Sequence, residues 1–544
     1  MTVTPDLSTG YVGNLTPDQD VKLRELWIIL FTSISSVLSK IYDVPIPKGS
    51  PSKLFEVFEK IKEPTVDAIL SALKGDDAND THQSNGTNGT NGFTNGTANG
   101  TNATEETNGD SHEQKSLDKV EDLMSNGDAQ KNIKEEMATR KVLPEHFSVV
   151  FDQLRKSGVS DSEIKSMEKI LAKMTPQDMC FAILKMAKQE HPDSLLLRFL
   201  RARKWDVGKA FTMLATNILW RKEMEVDDDI LPKGELYALE QSRDDKLSAK
   251  EKKEGNDFIA QLKTGKSFLH GFDRQGRPVN YVRVKIHKPG AQSEEVLERY
   301  IVHVIESTRL IVAPPVETGT IVFDMTGFGL SNMEYQPVKF IIKCFEANYP
   351  ESLGQLLIHN APWIFSGKPV IIAILYAIRI SHIEGIWKLI HGWMDPVVAS
   401  KVHFTKSVKD LDKYISRDQI PRELAGDEDW EYKYVEPKED ENEIMKDKST
   451  GDEIMYERLM IGIKLLASTA AWISATTYAE GKQDAIKVEE LKARRSTVVE
   501  DFRQNYWKID PYIRARALID RSGVLEPGGR VVVTPETTKK NGSK

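Results

Sequence analysis

The chain opens on a helical period. Leu23, Leu26, Leu30, Ile34 and Leu38 recur every three or four residues, the spacing that gathers apolar side chains on one helix face. Thr16-Pro17-Asp18-Gln19 stands just ahead of them. That is a start signal, with Thr16 as N-cap, Pro17 where a missing N–H costs nothing, and Gln19 bonding back to the cap. Residues 144–230 predict several short helices. Thr175-Pro176-Gln177-Asp178 repeats the cap pattern, and Asp193 ahead of Leu195, Leu196, Leu197, Phe199 and Leu200 predicts another capped amphipathic start. From 266 the period shortens. Pro278 to Val284 alternates like a half-buried strand, and Gly319 to Asp324 and Gln355 to Asn360 are further short strand-like runs. Helical stretches over 292–312 and 331–348 lie between them. Strand–helix–strand alternation at this spacing predicts βαβ units and a mostly parallel sheet, an α/β fold. Past about 430 an acidic segment, Glu436 to Glu443, leads into a long helical tail whose Tyr506–Tyr512 stretch is aromatic enough to pack.

One region carries no period. Asn, Gly and Thr fill 21 of the 30 positions over 81–110. Such a stretch buries too little apolar surface to offset its ordering entropy, so about 75–135 is expected to be a disordered linker. Its five N-x-T sequons, at Asn85, Asn88, Asn95, Asn99 and Asn102, are by-products of the repeat. The other positions have globular composition, 40% hydrophobic and 29% charged over 544 residues, enough for three or four units at about 150 residues each. A net charge of −8 argues against nucleic acid as a partner.

Cys180 and Cys344 are the two cysteines, so neither a disulfide framework nor a thiolate zinc site is readable, and a reducing compartment is expected. The longest unbroken apolar run, Val370 to Ile378, has nine residues, against about 20 for a spanning helix. The N-terminal residues show no signal-peptide pattern. A soluble, cytoplasmic protein with peripheral membrane contact at most is expected.

Catalytic motifs fail on inspection. Thr264-Gly265-Lys266-Ser267 contains the end of a phosphate-binding loop, but Ala260 stands where its first glycine belongs. Gly329-Leu330-Ser331-Asn332-Met333 lacks the second glycine of a nucleophile elbow. The eleven histidines are scattered and no HExxH occurs. No metal ligands and no enzyme are expected, although a triad assembled from distant residues would leave no local trace.

Arg198, Arg201, Arg203 and Lys204 surround an apolar helix face in Leu195–Val207. Composition alone favours a solvated charge face with snorkelling stems. The stretch, followed by Trp220-Arg221, resembles the helical lead-in of the CRAL-TRIO lipid-binding family, which includes the fungal phosphatidylinositol transfer proteins. The resemblance continues in order through Gly271–Val279, Thr320–Gly327, Tyr349–Gly354, Asn360–Phe365 and Trp393–Pro396. It closes at Pro421–Gly426, where Ala425 replaces a glycine. It covers about 190–430. It implies a first helix of an N-terminal helical subdomain over 14–43 and an insertion over 44–144. An N-terminal helical CRAL-TRIO-N subdomain over 145–230 would follow. Next would come a CRAL-TRIO βαβ mostly parallel sheet enclosing a lipid cavity over 258–430. An acidic linker and helical C-terminal extension would occupy 440–544.

By the same resemblance the function is non-catalytic binding of phosphatidylinositol, transferred or presented at membranes. Arg203 and Lys204 resemble the family's phosphate contacts, Asp273 and Glu351 its inositol-side carboxylates, and Lys401 a second basic contact. Guanidinium or ammonium suits a phosphate, and carboxylate accepts from inositol hydroxyls. Bland readings stand beside these. Arg198 and Arg201 suit salt bridges, Asp273 suits a cap for the turn at Gly276, and Glu351 suits a helix N-terminus. Two departures weaken the inositol reading: Ser352 replaces an arginine of a well-studied member, and Val398 a threonine. The choline side departs further. Leu269, Asn280 and Ile305 occupy tyrosine positions, and Gly319 and Ile321 hydroxyl positions, so the aromatic faces for cation–π contact are missing and only Tyr281 lies nearby.

The resemblance also implies a membrane gate within 362–396, with Trp363, Phe365, Trp387 and Trp393 as interfacial aromatics. Joining Gly367 to Ile386 restores the family's spacing, which makes Lys368 to Gly385 an excess of 18 residues; we read it as a translated retained intron, with a lengthened gate as the alternative. No cofactor is expected beyond the bound phospholipid. The expected partners are that phospholipid and a membrane surface, of endoplasmic reticulum or endosomes, approached peripherally. The rival readings are the same fold with another hydrophobic cargo, such as a sterol precursor, a tocopherol-like molecule or haem, and a lipid-sensing scaffold module.

Overall fold

The structure, a computed structural model, describes residues 9–42, 146–156, 158–362, 390–478 and 485–532. The insertion 44–144 with its linker, the segment 368–385, and Trp363, Phe365 and Trp387 of the expected gate lie outside the described residues.

Local chemistry sets the helix starts. Before α1 (Pro17–Ser33) the Thr16 hydroxyl accepts from Gln19 N–H and the Gln19 side chain accepts from Thr16 N–H, a complete capping box. Then follow α2 (Ser35–Tyr42), α3 (His146–Lys156), α4 (Asp161–Leu171), α5 (Pro176–Ala187), α6 (Pro192–Ala202) and α7 (Val207–Glu223). Ser160 and Thr175 cap α4 and α5 in the same reciprocal way. At α6 the structure departs from the expectation. Pro192 takes the first helical position and His191 is the N-cap, so Asp193 falls inside the first turn and is buried. The apolar faces merge in one core around Leu26, Trp27, Phe31, Phe199 and Phe211.

The helices α8 (Leu231–Arg243) and α9 (Ala249–Lys263) lead into the sheet. Its elements run β1 (Ser267–Phe272), β2 (Pro278–Arg283), α10 (Glu294–Ile311), β3 (Gly319–Asp324), α11 (Tyr335–Lys343), β4 (Leu353–His359), α12 (Pro396–Ser400) and β5 (Val402–Thr405). The strands lie in sequence order. β1 pairs with β2 antiparallel, and every later pairing is parallel. Successive strand residues point to opposite faces. Val279, Tyr281, Val322 and Leu357 pack on Leu411, Ile415, Ile420 and Leu424, so that face is closed. Asn280, Val282, Ile321, Phe323, Leu356 and Ile358 turn the other way, toward a cavity shared with α10 and α11.

The C-terminal helices α13 (Lys448–Ile473) and α14 (Ala485–Ile513) belong to the helical core. The helix from Lys448 to Thr477 is long and apolar enough to cross a membrane by length and composition, but 61% of its most apolar window is buried. Ile463, Leu466, Ala470, Trp472 and Ile473 pack in the same cluster as Trp27, the behaviour of a core helix. Arg495 fastens them. It donates to both Asp193 carboxylate oxygens at 2.7 and 2.6 Å and to Thr469 Oγ1 at 2.8 Å. Trp27 Nε1 donates to the same carboxylate at 2.8 Å. One buried acid thus links α1, α6, α13 and α14.

Candidate functional site

The open face of the sheet, α10 and α11 enclose a cavity of about 270 Å³. Val282, Ile301, Ile305, Ile321, Phe323 and Phe345 typify its wall. Such a wall stabilises bound hydrocarbon by about 0.8 kcal/mol per buried methylene and offers it no hydrogen bonds. Polar groups reach the cavity at its two ends. At the amino ends of the parallel strands stand Arg198, paired with Glu190 at 2.6 Å, and Glu317, paired with Arg201 at 2.8 Å. At the carboxyl end of β2 stand Lys266, His287 and Glu334.

A buried charge network braces the wall. Glu306 on α10 is fully buried and accepts from Lys188 Nζ, from Arg221 Nη1 at 2.7 Å and from the Tyr349 hydroxyl at 2.8 Å. Burial opposes its charge, but Arg221, Lys188 and Arg309 outweigh that and hold the carboxyl well below its ordinary range. The network pins α10 to α7 and fixes Tyr349 just before the turn that carries Glu351.

Glu351 and Lys401 come together. Lys401 Nζ lies 3.2 Å from Glu351 Oε2, with both side chains about one-fifth exposed. Glu351 has φ +53, a left-handed conformation that strains a residue with a Cβ. Ser352, next to it, lines the cavity. Arg203 closes α6 as its C-cap and acts electrostatically on Glu346. Burial pushes the Glu346 carboxyl up, and Arg203 pulls the other way. Glu346 accepts from Asp395 N–H. Asp395 caps the start of α12, and Lys401 ends the same helix. Arg203, Glu346, Asp395, Lys401 and Glu351 therefore form a polar rim beside Phe345, Ser352 and Met394 of the cavity wall. Lys204 follows Arg203, exposed and with φ +51.

Asp273 stands apart. Its Oδ1 accepts from Gln275 N–H and Arg277 N–H at 2.8 and 2.9 Å, and its Oδ2 accepts from the Thr320 hydroxyl at 2.7 Å. The carboxylate ties the β1–β2 turn to β3, and the residue does not line the cavity. The structure shows Asp273 in the turn-capping role, with three of its acceptor positions taken by the chain itself. Arg198 and Arg201 are salt-bridged, and Arg198 also lines the cavity. Among the choline positions, Asn280, Ile305, Gly319 and Ile321 do line it. Tyr281 does not offer a substitute aromatic face, because it stacks on Phe268 at 5.2 Å on the closed side of the sheet. Trp393, half-buried, meets Tyr335 edge-on at 5.6 Å, with Lys339 Nζ 4.8 Å over its ring.

Among the described residues no group of His, Cys, Asp or Glu gathers as a metal site. Burial pushes the Cys180 thiol up to about 12, away from nucleophilic thiolate.

The chain is similar to known proteins. The CRAL/TRIO domain model matches residues 262–377 and 374–426, and the CRAL/TRIO N-terminal domain model matches 163–216. The CRAL-TRIO domain-containing protein C3H8.02 of Schizosaccharomyces pombe is 38% identical over 365 residues, covering 67% of this chain and 72% of that protein. The chain belongs to the CRAL-TRIO family. Another member, the phosphatidylinositol transfer protein CSR1 of Eremothecium gossypii, is 37% identical over 342 residues, 63% of this chain and 70% of that protein. The phosphatidylinositol/phosphatidylcholine transfer protein SFH4 of Arabidopsis thaliana is 27% identical over 249 residues, 43% of this chain and 35% of that protein.

The CRAL-TRIO sheet and its lead-in helices were visible in sequence blocks. The Glu306 brace and the Lys266–His287–Glu334 row were not. Their members come from separate elements, and the one signal was a lysine in a failed phosphate-loop motif.

Proposed function

We propose that this CRAL-TRIO protein binds phosphatidylinositol, or a closely related phospholipid, and transfers or presents it at membranes without catalysing a reaction. Acyl chains would fill the apolar cavity, and the head group would sit at the rim, its phosphate on Lys401, Lys204 and Arg203 and its hydroxyls on Glu351. The observation that carries this reading is the Lys401–Glu351 pair at 3.2 Å on the rim of a mainly apolar cavity. Similarity to a named phosphatidylinositol transfer protein supports it. The setting proposed is the cytoplasm, with peripheral contact to endoplasmic reticulum or endosomal membranes. Trp393 supplies one interfacial aromatic near the cavity mouth. The test is incubation with labelled membranes, re-isolation and lipid mass spectrometry. Phosphatidylinositol is expected, and recovery of no glycerophospholipid overturns the reading.

One observation favours a second reading, the same cavity with a different hydrophobic cargo. Asn280, Ile305, Gly319 and Ile321 line it in place of the tyrosines and hydroxyl residues of the choline-binding members, so phosphatidylcholine is not expected. The same mass spectrum would show a neutral hydrophobe, and an absorbance scan would show haem.

A further inference from the structure

The rim lies at the amino ends of the parallel strands, whereas Lys266, His287 and Glu334 lie at the carboxyl end of β2. Strands of six residues put the two ends about 20 Å apart at 3.3 Å per residue. The far end therefore cannot serve the head group held at the rim.

Lys266 is 8% exposed, and its Nζ contacts His287 Nδ1 at 3.1 Å. The other ring nitrogen, Nε2, lies 2.8 Å from Glu334 Oε2. A carboxylate only accepts, so Nε2 carries the proton and Nδ1 accepts from the ammonium. Burial, reinforced by the charge of Lys266, lowers the His287 pKa and keeps the ring neutral. Burial also pulls the Lys266 ammonium down to about 8, while Glu334 pulls the other way. At neutral pH Lys266 remains a desolvated cation. Among the described residues it makes no ion pair, and two of its three N–H donors have no partner.

Asn280 adds a second donor. Its Oδ1 accepts from Ser267 Oγ at 2.7 Å, and its amide N–H groups have no partner among the described residues. Asn280 Oδ1 and His287 Nδ1 are thus already used and Glu334 Oε2 is held by His287, while the unpartnered N–H groups of Lys266 and Asn280 stand beside an apolar wall. A buried, incompletely bonded cation is costly unless an anion meets it.

We propose that this end of the cavity is a second ligand subsite, in which Lys266 Nζ, assisted by the Asn280 amide, binds the anionic oxygen of a long-chain amphiphile. The shared chemistry is a carboxylate or phosphate oxygen on a hydrocarbon tail. The subsite is independent of the phosphatidylinositol reading.

The test uses the purified full-length chain and a fluorescent polyene fatty acid beside its methyl ester. The native protein is expected to bind the acid at least tenfold more tightly than the ester. Lys266→Met should abolish that preference and leave ester affinity unchanged, and Lys266→Arg should retain it. Asn280→Leu, a second variant should the first not fold, should weaken only the acid, several-fold. Vesicles containing phosphatidate form the other arm. Extraction of phosphatidate by the native chain and not by Lys266→Met identifies a phosphate ligand; acid preference without extraction identifies a carboxylate. Equal affinity for acid and ester together with no phosphatidate extraction overturns the proposal, as does Lys266→Met keeping the preference. Phosphatidylinositol transfer by the native chain is measured alongside. Loss of transfer in the native chain with acid preference intact would overturn the rim reading alone.

Discussion

Lys401 and Glu351, fifty positions apart in the chain, meet at 3.2 Å on the rim of an apolar cavity. The acid of this pair holds a left-handed backbone that a glycine would adopt more readily. Strain retained at such a position fits selection for the side chain over the stability of the turn.

Replacing Lys204 and Lys401 together by Ala should abolish phosphatidylinositol loading while the fold survives. Lys204 is exposed and the Lys401 side chain about one-fifth exposed, so little core is lost. Charge-assisted bonds are worth about 1.5–3 kcal/mol each, which makes the double variant at least a hundredfold weaker. Transfer assays beside thermal melting check this, and unchanged transfer would show the head group to be elsewhere.

Glu351→Gly separates strain from binding. Releasing the left-handed residue should return about 1 kcal/mol, and losing a partly exposed ion pair should cost up to about 1 kcal/mol. Stability should stay within about 1 kcal/mol of the native protein while head-group binding falls. A denaturation curve shifted by several kcal/mol would mean that Glu351 is a structural residue.

Asp193 makes stability pH-dependent. Burial opposes its charge, but Arg495, with His191, outweighs that and holds it at about 2, against 3.8 for the free side chain. The folded value lies below the unfolded one. The stabilisation, on the order of 2 kcal/mol, is therefore present above pH 4 and lost as pH falls toward 2. Arg495→Met should remove it and strand a buried carboxylate, costing about 3–5 kcal/mol at pH 7. Asp193→Asn added to Arg495→Met should recover part of the loss. Urea midpoints at pH 7, 4 and 2 measure each step.

Glu306→Gln should cost a similar amount, about 3–5 kcal/mol at neutral pH, because Arg221, Lys188 and Arg309 would lose the carboxylate that they surround. Its pKa is lowered, so the native advantage should fade as the medium becomes acidic. A melting temperature equal to that of the native protein would remove the brace from the account of the cavity wall.

Residues 368–385 give a prediction at the level of the message. The two segments of the family match meet at 374–377, inside this stretch. Sequencing the mature transcript should show its eighteen codons absent from the dominant form; their presence there would make it a lengthened gate.

The sequence by itself determined what depends on neighbours along the chain. The capping boxes at Thr16 and Thr175 form between residues three apart, so composition and spacing suffice to read them. An alternating run located β2 and a short β-branched run located β3, each within a residue of its observed ends, and the ordered blocks identified the lipid-binding fold. Alternation also separated Asn280 from Tyr281, but not which of them faces the cavity. That was decided by Leu411, Ile415, Ile420 and Leu424, which close one side of the sheet. Asp193 looked like a helix cap because its partners, Arg495 and Trp27, lie 302 and 166 positions away. Asp273 resembled an inositol contact more than a turn cap, and only folding brought Thr320 from β3 to its second oxygen. Lys266 became a donor on a cavity wall only when His287 and Glu334 were brought to it. Local structure follows from short-range sterics and hydrogen bonds written in consecutive residues. Burial, charge pairing and the inside of a cavity depend on residues far apart in the chain, and only folding brings those together.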